Sequence, residues 1–322
     1  MSCLASIARG RNGGEKLMEP IGLVDGKIIK LGEKVIEIED RGYQFGDGVY
    51  EVTRVYNRRP FALKLHVDRL YRSLRELGIP ITYSFDELAR FHDLLVERSG
   101  IGEGYIYLQI TRGVAPRGHA FPEHPTPRLM MMIQPVTPDY ALRDRGASGI
   151  FVPDERWLRC DIKSINLLAN VLAKQRAKEA GVFEAVLVRP RDPFATRGLN
   201  ESLDGIVTEG AMSNFFVVKD GAMWTHPANH LILKGISRTV ILEQLAPKLG
   251  IPVVEKPFDV AFAKSADEAF VAVTVVEVMP LVTLDGAPVG NGKVGPVTRR
   301  LIEAFAALVA KECGAGQAGG AA

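Results

Sequence analysis

Between Arg156 and Gln175 the chain reads RWLRCDIKSINLLANVLAKQ, and the reading of this stretch decides the fold. Upstream lies a β-prone run, Gly149 to Pro153. Downstream the pattern becomes helical from Asn166 to Ala180, is stopped by Gly181, and is followed by a second β-prone run from Glu184 to Arg189. A strand, a lysine-bearing loop, a helix and a strand therefore follow one another here. Elsewhere the sequence shows no regular repeat of the unit. Hairpins and helices mix along the rest of the chain, so the expected class is α+β rather than a doubly wound sheet.

Working outward, Ile21 to Leu31 predicts a hairpin turning at Asp25-Gly26. Apolar residues at 65, 67, 70, 74 and 77 predict a helix, and Ser84 with Glu87 predicts a capping box opening the next. Gly78 and Gly100 end these helices, and Tyr105–Thr111 and Arg128–Gln134 read as strands. Periodicity fades between Pro135 and Arg145, where a domain boundary is expected. Beyond it follow a hairpin at Asp220-Gly221, a helix capped by Ser237, a strand over Ala269–Val276 and a closing helix over Pro296–Glu312. The expected organisation is a disordered extension over 1–19, a small α+β domain over 20–137, a linker over 138–145, a larger domain over 146–312 and a frayed tail over 313–322.

The chain has 322 residues, with 40 Lys and Arg against 38 Asp and Glu, a formal charge of +2. That balance excludes a nucleic-acid binder working through a strong basic field. No run of about 18 uncharged apolar residues is present, so no membrane span is expected. Cys3, Cys160 and Cys313 are odd in number and without CxxC spacing, which points to a reducing, cytoplasmic setting and to no thiolate metal site. GxGxxG, GxxxxGK[ST], HExxH and GxSxG are all absent. His226 and His230 are separated by Pro227 and lack a carboxylate neighbour, so they read as a polar hairpin end and no metal is expected.

Five segments carry the chemistry. DRGYQFGDGVYEV (40–52) alternates glycines with aromatics before a strand; it suits close backbone approach to a ligand, or simply a tight turn. TRGVAPRGHAFPEH (111–124) offers Arg117 and His119, which could hold a carboxylate or merely be solvated. Lys163 is bracketed by Trp157, Leu158, Ile162 and Ile165; poor hydration favours a neutral, nucleophilic amine, although a strand-end lysine reads the same way. VTEGAMSNFF (207–216) sets Glu209 beside β-branched residues, where a half-buried carboxylate needs a cationic partner such as a protonated heterocycle nitrogen. LKGISR (233–238) opens a helix at Gly235, Ile236 and Ser237, an anion site by its amides and dipole. Thr274 could add a hydroxyl.

Taken in this order, the five segments resemble the fold-type IV family of pyridoxal 5′-phosphate enzymes, on its D-amino-acid transaminase branch, from about residue 20 to about residue 310. The resemblance implies a homodimer of two-domain α+β subunits with the cofactor in the interdomain cleft. It implies that Lys163 carries the cofactor and shuttles a proton, and that Glu209 pairs with the pyridine nitrogen. Arg69 in LHVDRL, with Gly235, Ile236, Ser237 and Thr274, would hold the phosphate, and Leu233 would back the ring. Tyr50, Arg117 and His119 would trap the substrate carboxylate, some of them from a neighbouring subunit. The implied reaction moves the amino group of a D-amino acid to a 2-oxo acid, such as 2-oxoglutarate or pyruvate, in ping-pong order. Alternatives on the same fold are an aminodeoxychorismate lyase and a branched-chain L-amino-acid or (R)-amine transaminase. Three departures stand out: Ala211-Met212 where relatives tend to carry serines, the apolar Val275-Val276 after Thr274, and an apparent insertion over Pro190–Gly205.

Overall fold

A computed structural model describes residues 19–191 and 203–314. The expected extension before residue 19, most of the Pro190–Gly205 insertion and the tail beyond 314 lie outside the described residues.

The first half builds one antiparallel sheet. Strands β1 (Ile21–Val24) and β2 (Lys27–Lys30) meet at Asp25-Gly26, whose φ angles of 46° and 84° are those of a primed turn. After α1 (Arg41–Phe45) come β3 (Gly48–Tyr56), β4 (Arg59–Pro60), α2 (Leu63–Glu76), α3 (Phe85–Ser99), β5 (Gly104–Thr111) and β6 (Arg128–Pro135). The sheet order is β2-β1-β6-β5-β3-β4. Its inner face packs Val49, Ile106, Leu108, Leu129 and Met131 against Val67, Leu70 and Leu74 of α2 and Leu88 and Leu95 of α3. Truncating one such leucine to alanine costs about 2–5 kcal/mol. The capping box forms as expected: Ser84 Oγ accepts from Glu87 N, and Ser84 N donates to Glu87 Oε2 at 2.8 Å.

The expected linker contains a short helix, α4 (Tyr140–Arg145), nucleated by the Asp139 side chain accepting from Leu142 N. None of its residues is buried, which is why it leaves no periodic trace in the sequence. Then follow β7 (Ala147–Pro153), α5 (Leu168–Glu179), β8 (Glu184–Pro190), β9 (Gly205–Gly210), β10 (Asn214–Lys219) and β11 (Ala222–Thr225). A helical rod comes next: α6 (Ile236–Val240), a π-helical turn over Ile241–Leu245, and α7 (Ala246–Leu249). The wider turn precedes Pro247, whose ring cannot sit against an ordinary upstream carbonyl. The chain closes through β12 (Val253–Glu255), α8 (Val260–Lys264), β13 (Glu268–Val273), β14 (Glu277–Leu284), β15 (Ala287–Pro288) and α9 (Pro296–Cys313).

These strands form a mixed sheet in the order β12-β11-β10-β13-β14-β7-β8-β9, with β15 on β14. β7 runs parallel to both β8 and β14, so the strand–helix–strand unit read from the sequence is a parallel crossover. A second one, which the sequence did not suggest, joins β11 to the parallel β12 through the helical rod at the sheet edge. The two sheets establish the α+β, two-domain architecture. Three further expectations need correcting. Ser237 lies inside α6, and the residue at the helix cap is Gly235. β13 ends at Val273, so Thr274 stands in the turn into β14 and not on a strand. Cys313 belongs to α9 and is buried, so the tail begins later than position 313. No helix among the described residues is long and apolar enough to cross a membrane.

Candidate active site

The loop between β7 and α5 is stitched to the first sheet. Tyr50 N donates to Lys163 O at 2.9 Å, Ile165 N donates to Gly48 O at 3.1 Å, and Lys163 N donates to Ser73 Oγ on α2 at 3.2 Å. Close approach requires glycine at position 48, where a Cβ would stand 2.7 Å from Ile110 O. Position 163 is thereby fixed at the junction of the two sheets, and its Nζ lies 3.9 Å from the centroid of the Tyr50 ring. The expected apolar bracket is only half present: Ile162 is buried, but Leu158 is 61% exposed.

Lys163 opens onto a cleft of about 750 Å³, measured out to open solvent. Tyr50, Arg69, Glu209, Leu233, Gly235, Ile236, Ser237 and Thr274 line the same cleft. Arg117 and His119 do not. Arg117 lies over the Phe45 ring and donates to Gln44 Oε1 at 3.3 Å, and His119 packs on the same ring. Within one chain the anticipated carboxylate pair is therefore held together, but away from Lys163.

Glu209 is more enclosed than expected, at 4% exposure. Arg156 NH1 donates to its Oε1 at 2.5 Å, Asn214 Nδ2 to its Oε2 at 2.9 Å, and Leu233 N to both oxygens. Burial pushes its carboxyl above the usual range, with the Arg156 charge pulling the other way. Gly235 allows the rod to start against this cluster, since a Cβ there would stand 2.0 Å from Asn214 Oδ1.

Arg69 is fixed by a buried carboxylate that the sequence does not single out. Its Nε and NH2 donate to Glu51 at 2.7 and 2.9 Å, its NH1 donates to Lys234 O, and His66 Nδ1 lies 2.8 Å from the same Glu51. Burial raises the Glu51 carboxyl, but the Arg69 charge and the hydrogen bonds overrule it, holding the group at about 2. Sequence reasoning misses Glu51, His66, Asp154, Arg156 and Asn214 as site residues. Arg156 and Asn214 lie within quoted motifs, and His66 shares the α2 stripe, so a polar residue on a buried face is the signal that could have found them. His226, read as a polar hairpin end, is instead buried, with Nδ1 2.9 Å from Pro227 O. Among the described residues no group of three His, Cys, Asp or Glu could hold a metal.

The description "Amino-transferase class IV" fits residues 48–284, which include every residue of this cleft named above. The chain belongs to the amino-transferase class IV family. This class IV chain is 43% identical over 292 residues to the D-alanine aminotransferase of Staphylococcus aureus (strain COL), covering 89% of this chain and 97% of that protein. In structure it is similar to the Escherichia coli branched-chain amino acid aminotransferase, with a TM-score of 0.80, 26% identity and coverage of 89% and 94%. It is also similar to the branched-chain amino acid aminotransferase of T.th. with pyridoxamine 5′-phosphate, with a TM-score of 0.79, 26% identity and coverage of 93% and 96%.

Class IV aminotransferases use pyridoxal 5′-phosphate, and the donor set of this cleft suits that group. The first amides of the rod have no intrahelical acceptor, Ser237 and Thr274 add hydroxyls, and Arg69 spends three of its five N–H groups on Glu51 and Lys234 O. That is equipment for a phosphate. The Glu209 carboxylate has about four lone-pair sites and meets three protein donors, so it can still accept from a ring N–H.

Proposed function

We propose that this class IV enzyme moves the amino group of a D-amino acid to a 2-oxo acid, 2-oxoglutarate or pyruvate, in ping-pong order. The single observation that carries the reading is that Lys163, Glu209 and the start of the helical rod line one cleft. The identity to D-alanine aminotransferases over nearly the whole chain sets the substrate class.

When bound, pyridoxal 5′-phosphate supplies a carbonyl for the substrate amine and a ring that accepts the electron pair left at Cα. Lys163 Nζ would take the proton from substrate Cα and return it at C4′, held in place by a backbone hydrogen-bonded to β3 and α2. Glu209 holds the proton at the ring nitrogen. Arg69, Gly235, Ile236, Ser237 and Thr274 anchor the phosphate, and Leu233 backs the ring. Tyr50 borders the substrate space, and Arg117 with His119 takes the substrate carboxylate from a neighbouring subunit.

That last assignment requires a homodimer. Beside the cleft, α5 turns Leu168, Val171 and Leu172 outward, and Met212 on the cleft wall is 61% exposed, an apolar face a second copy would cover. Residues 20–137 and 146–313 are taken as the two domains, joined by 138–145. Buried free Cys160 and Cys313 suit a cytoplasmic enzyme. Loaded protein should consume D-alanine with 2-oxoglutarate, and Lys163→Ala should lose at least about 10²–10⁴-fold in kcat while keeping its fold. Ordinary turnover in that variant would end the reading.

A further inference from the structure

Beside Glu209, with Arg156 itself on the cleft wall, stands a buried chain of alternating charge that the reaction above does not use. The side chain of Arg156, on the loop leading to Lys163, is 7% exposed, and that of Asp154, just past the end of β7, is wholly buried. Asp154 accepts from Arg156 N, Nε and NH2 at 3.1, 2.9 and 2.9 Å, from Thr208 Oγ1 at 2.9 Å, and pairs with Arg189 at 3.2 Å. Arg189 also donates to Arg156 O at 2.8 Å, bracing the loop from behind. With Nε and NH2 committed to Asp154, and NH2 shared with Leu231 O, Arg156 reaches Glu209 through NH1 alone. Its contacts thus join the lysine loop, the strand that bears Glu209 and the segment that backs the ring.

Resting on the transaminase reading, we propose that Arg156 is a positioning residue: clamped by Asp154 and Arg189, it holds the Glu209 carboxylate in one orientation and in its anionic form for the ring nitrogen of the cofactor. A guanidinium can do this because its planar fork serves two carboxylates at once, which a lysine ammonium cannot. A carboxylate this deep favours its neutral form unless a cation lies against it, and a neutral Glu209 would give up the proton relation on which the electron sink depends. Asp154 works in the opposite sense on Glu209, as a like charge behind the cation. Also facing Glu209 are Cys160, whose thiol burial pushes up to about 11, the neutral Asn214, the Leu233 amide, and Lys163 across the cleft.

The opposed signs give the test. Pyridoxal 5′-phosphate affinity of the full chain is titrated against pH by equilibrium dialysis, with the bound cofactor's visible absorbance as a second readout. Arg156→Leu should weaken binding at neutral pH by at least about tenfold, as for other supporting groups behind a site, and move the acid limb of binding upward by about one pH unit. Arg156→Lys should recover part of the loss. Asp154→Asn should move the acid limb the other way. A general loss of packing would lower melting temperature in both variants without opposed shifts. Arg156→Leu matching wild type in affinity and acid limb, or Asp154→Asn shifting the limb upward, would overturn the proposal. If Arg156→Leu shows no cooperative melt, Asp154→Asn decides, and an unmoved limb overturns it. Wild-type protein that binds no pyridoxal 5′-phosphate would instead sink the functional reading itself.

Discussion

Two buried arginine–carboxylate clusters reach the cleft, one through Arg69 and one through Arg156 and Glu209, and they treat their acids in opposite ways. Glu51 meets Arg69 through both oxygens, has His66 on one of them and has no second acid among its contacts, and its carboxyl falls from 4.5 to about 2. Glu209 meets Arg156 through one oxygen only, that arginine is shared with Asp154, and the Glu209 carboxyl rises. Burial is nearly the same. What differs is how much of the cation each acid owns. The first cluster is a permanent fixture that aims Arg69; the second holds a charge that can respond to what binds beside it.

The comparison breaks most visibly at Glu51. Glu51→Ala leaves Arg69 and His66 buried without their shared acceptor, so thermal melting should show a loss of about 3–5 kcal/mol. Glu209→Gln, by contrast, leaves Arg156 paired to Asp154; it should melt close to wild type while kcat falls by roughly 10²-fold or more, a split that stopped-flow and calorimetry together would reveal. Equal destabilisation by the two changes would erase the distinction.

Acid pH sharpens the same contrast. Glu51 has a depressed carboxyl, so its contribution is complete above 4.5 and is lost as pH falls from 4.5 toward about 2. The fall is worth about 3 kcal/mol. Glu209 is raised, so its protonated form favours the fold and its contribution is present below 4.5 and fades as pH climbs through the folded value. Melting of the apoprotein across this range should therefore lose its Glu51-dependent acid limb in Glu51→Gln and keep it in Glu209→Gln. The smallest effect lies away from both clusters: Ser84→Ala should cost about 1 kcal/mol by removing one cap, with kcat unchanged.

Local features are legible from the chain, and the reasons are local. Asp25-Gly26 and Asp220-Gly221 turn where their positive φ angles allow, and Ser84 with Glu87 caps a helix through residues three apart. Lys163, Glu209 and the LKGISR segment are legible as chemistry because each lies in a short motif of fixed order. Less legible is anything set by a neighbour distant in sequence. The sequence suggests a half-buried Glu209 in need of a cation such as a ring nitrogen, yet the chain itself supplies one, Arg156, 53 positions away. It suggests Ser237 as a helix cap, but the residue at the cap is glycine because Asn214 leaves room for nothing larger.

The order of its motifs and the conformational preferences of its turns and caps belong to the sequence alone, since backbone sterics and hydrogen bonds between residues a few positions apart settle them. Which acid is held charged, which arginine is shared, and why Arg117 and His119 stand apart from the lysine of their own chain were decided by the tertiary structure. Desolvation and charge pairing depend on what closes over a group in three dimensions, and no spacing along the chain encodes that.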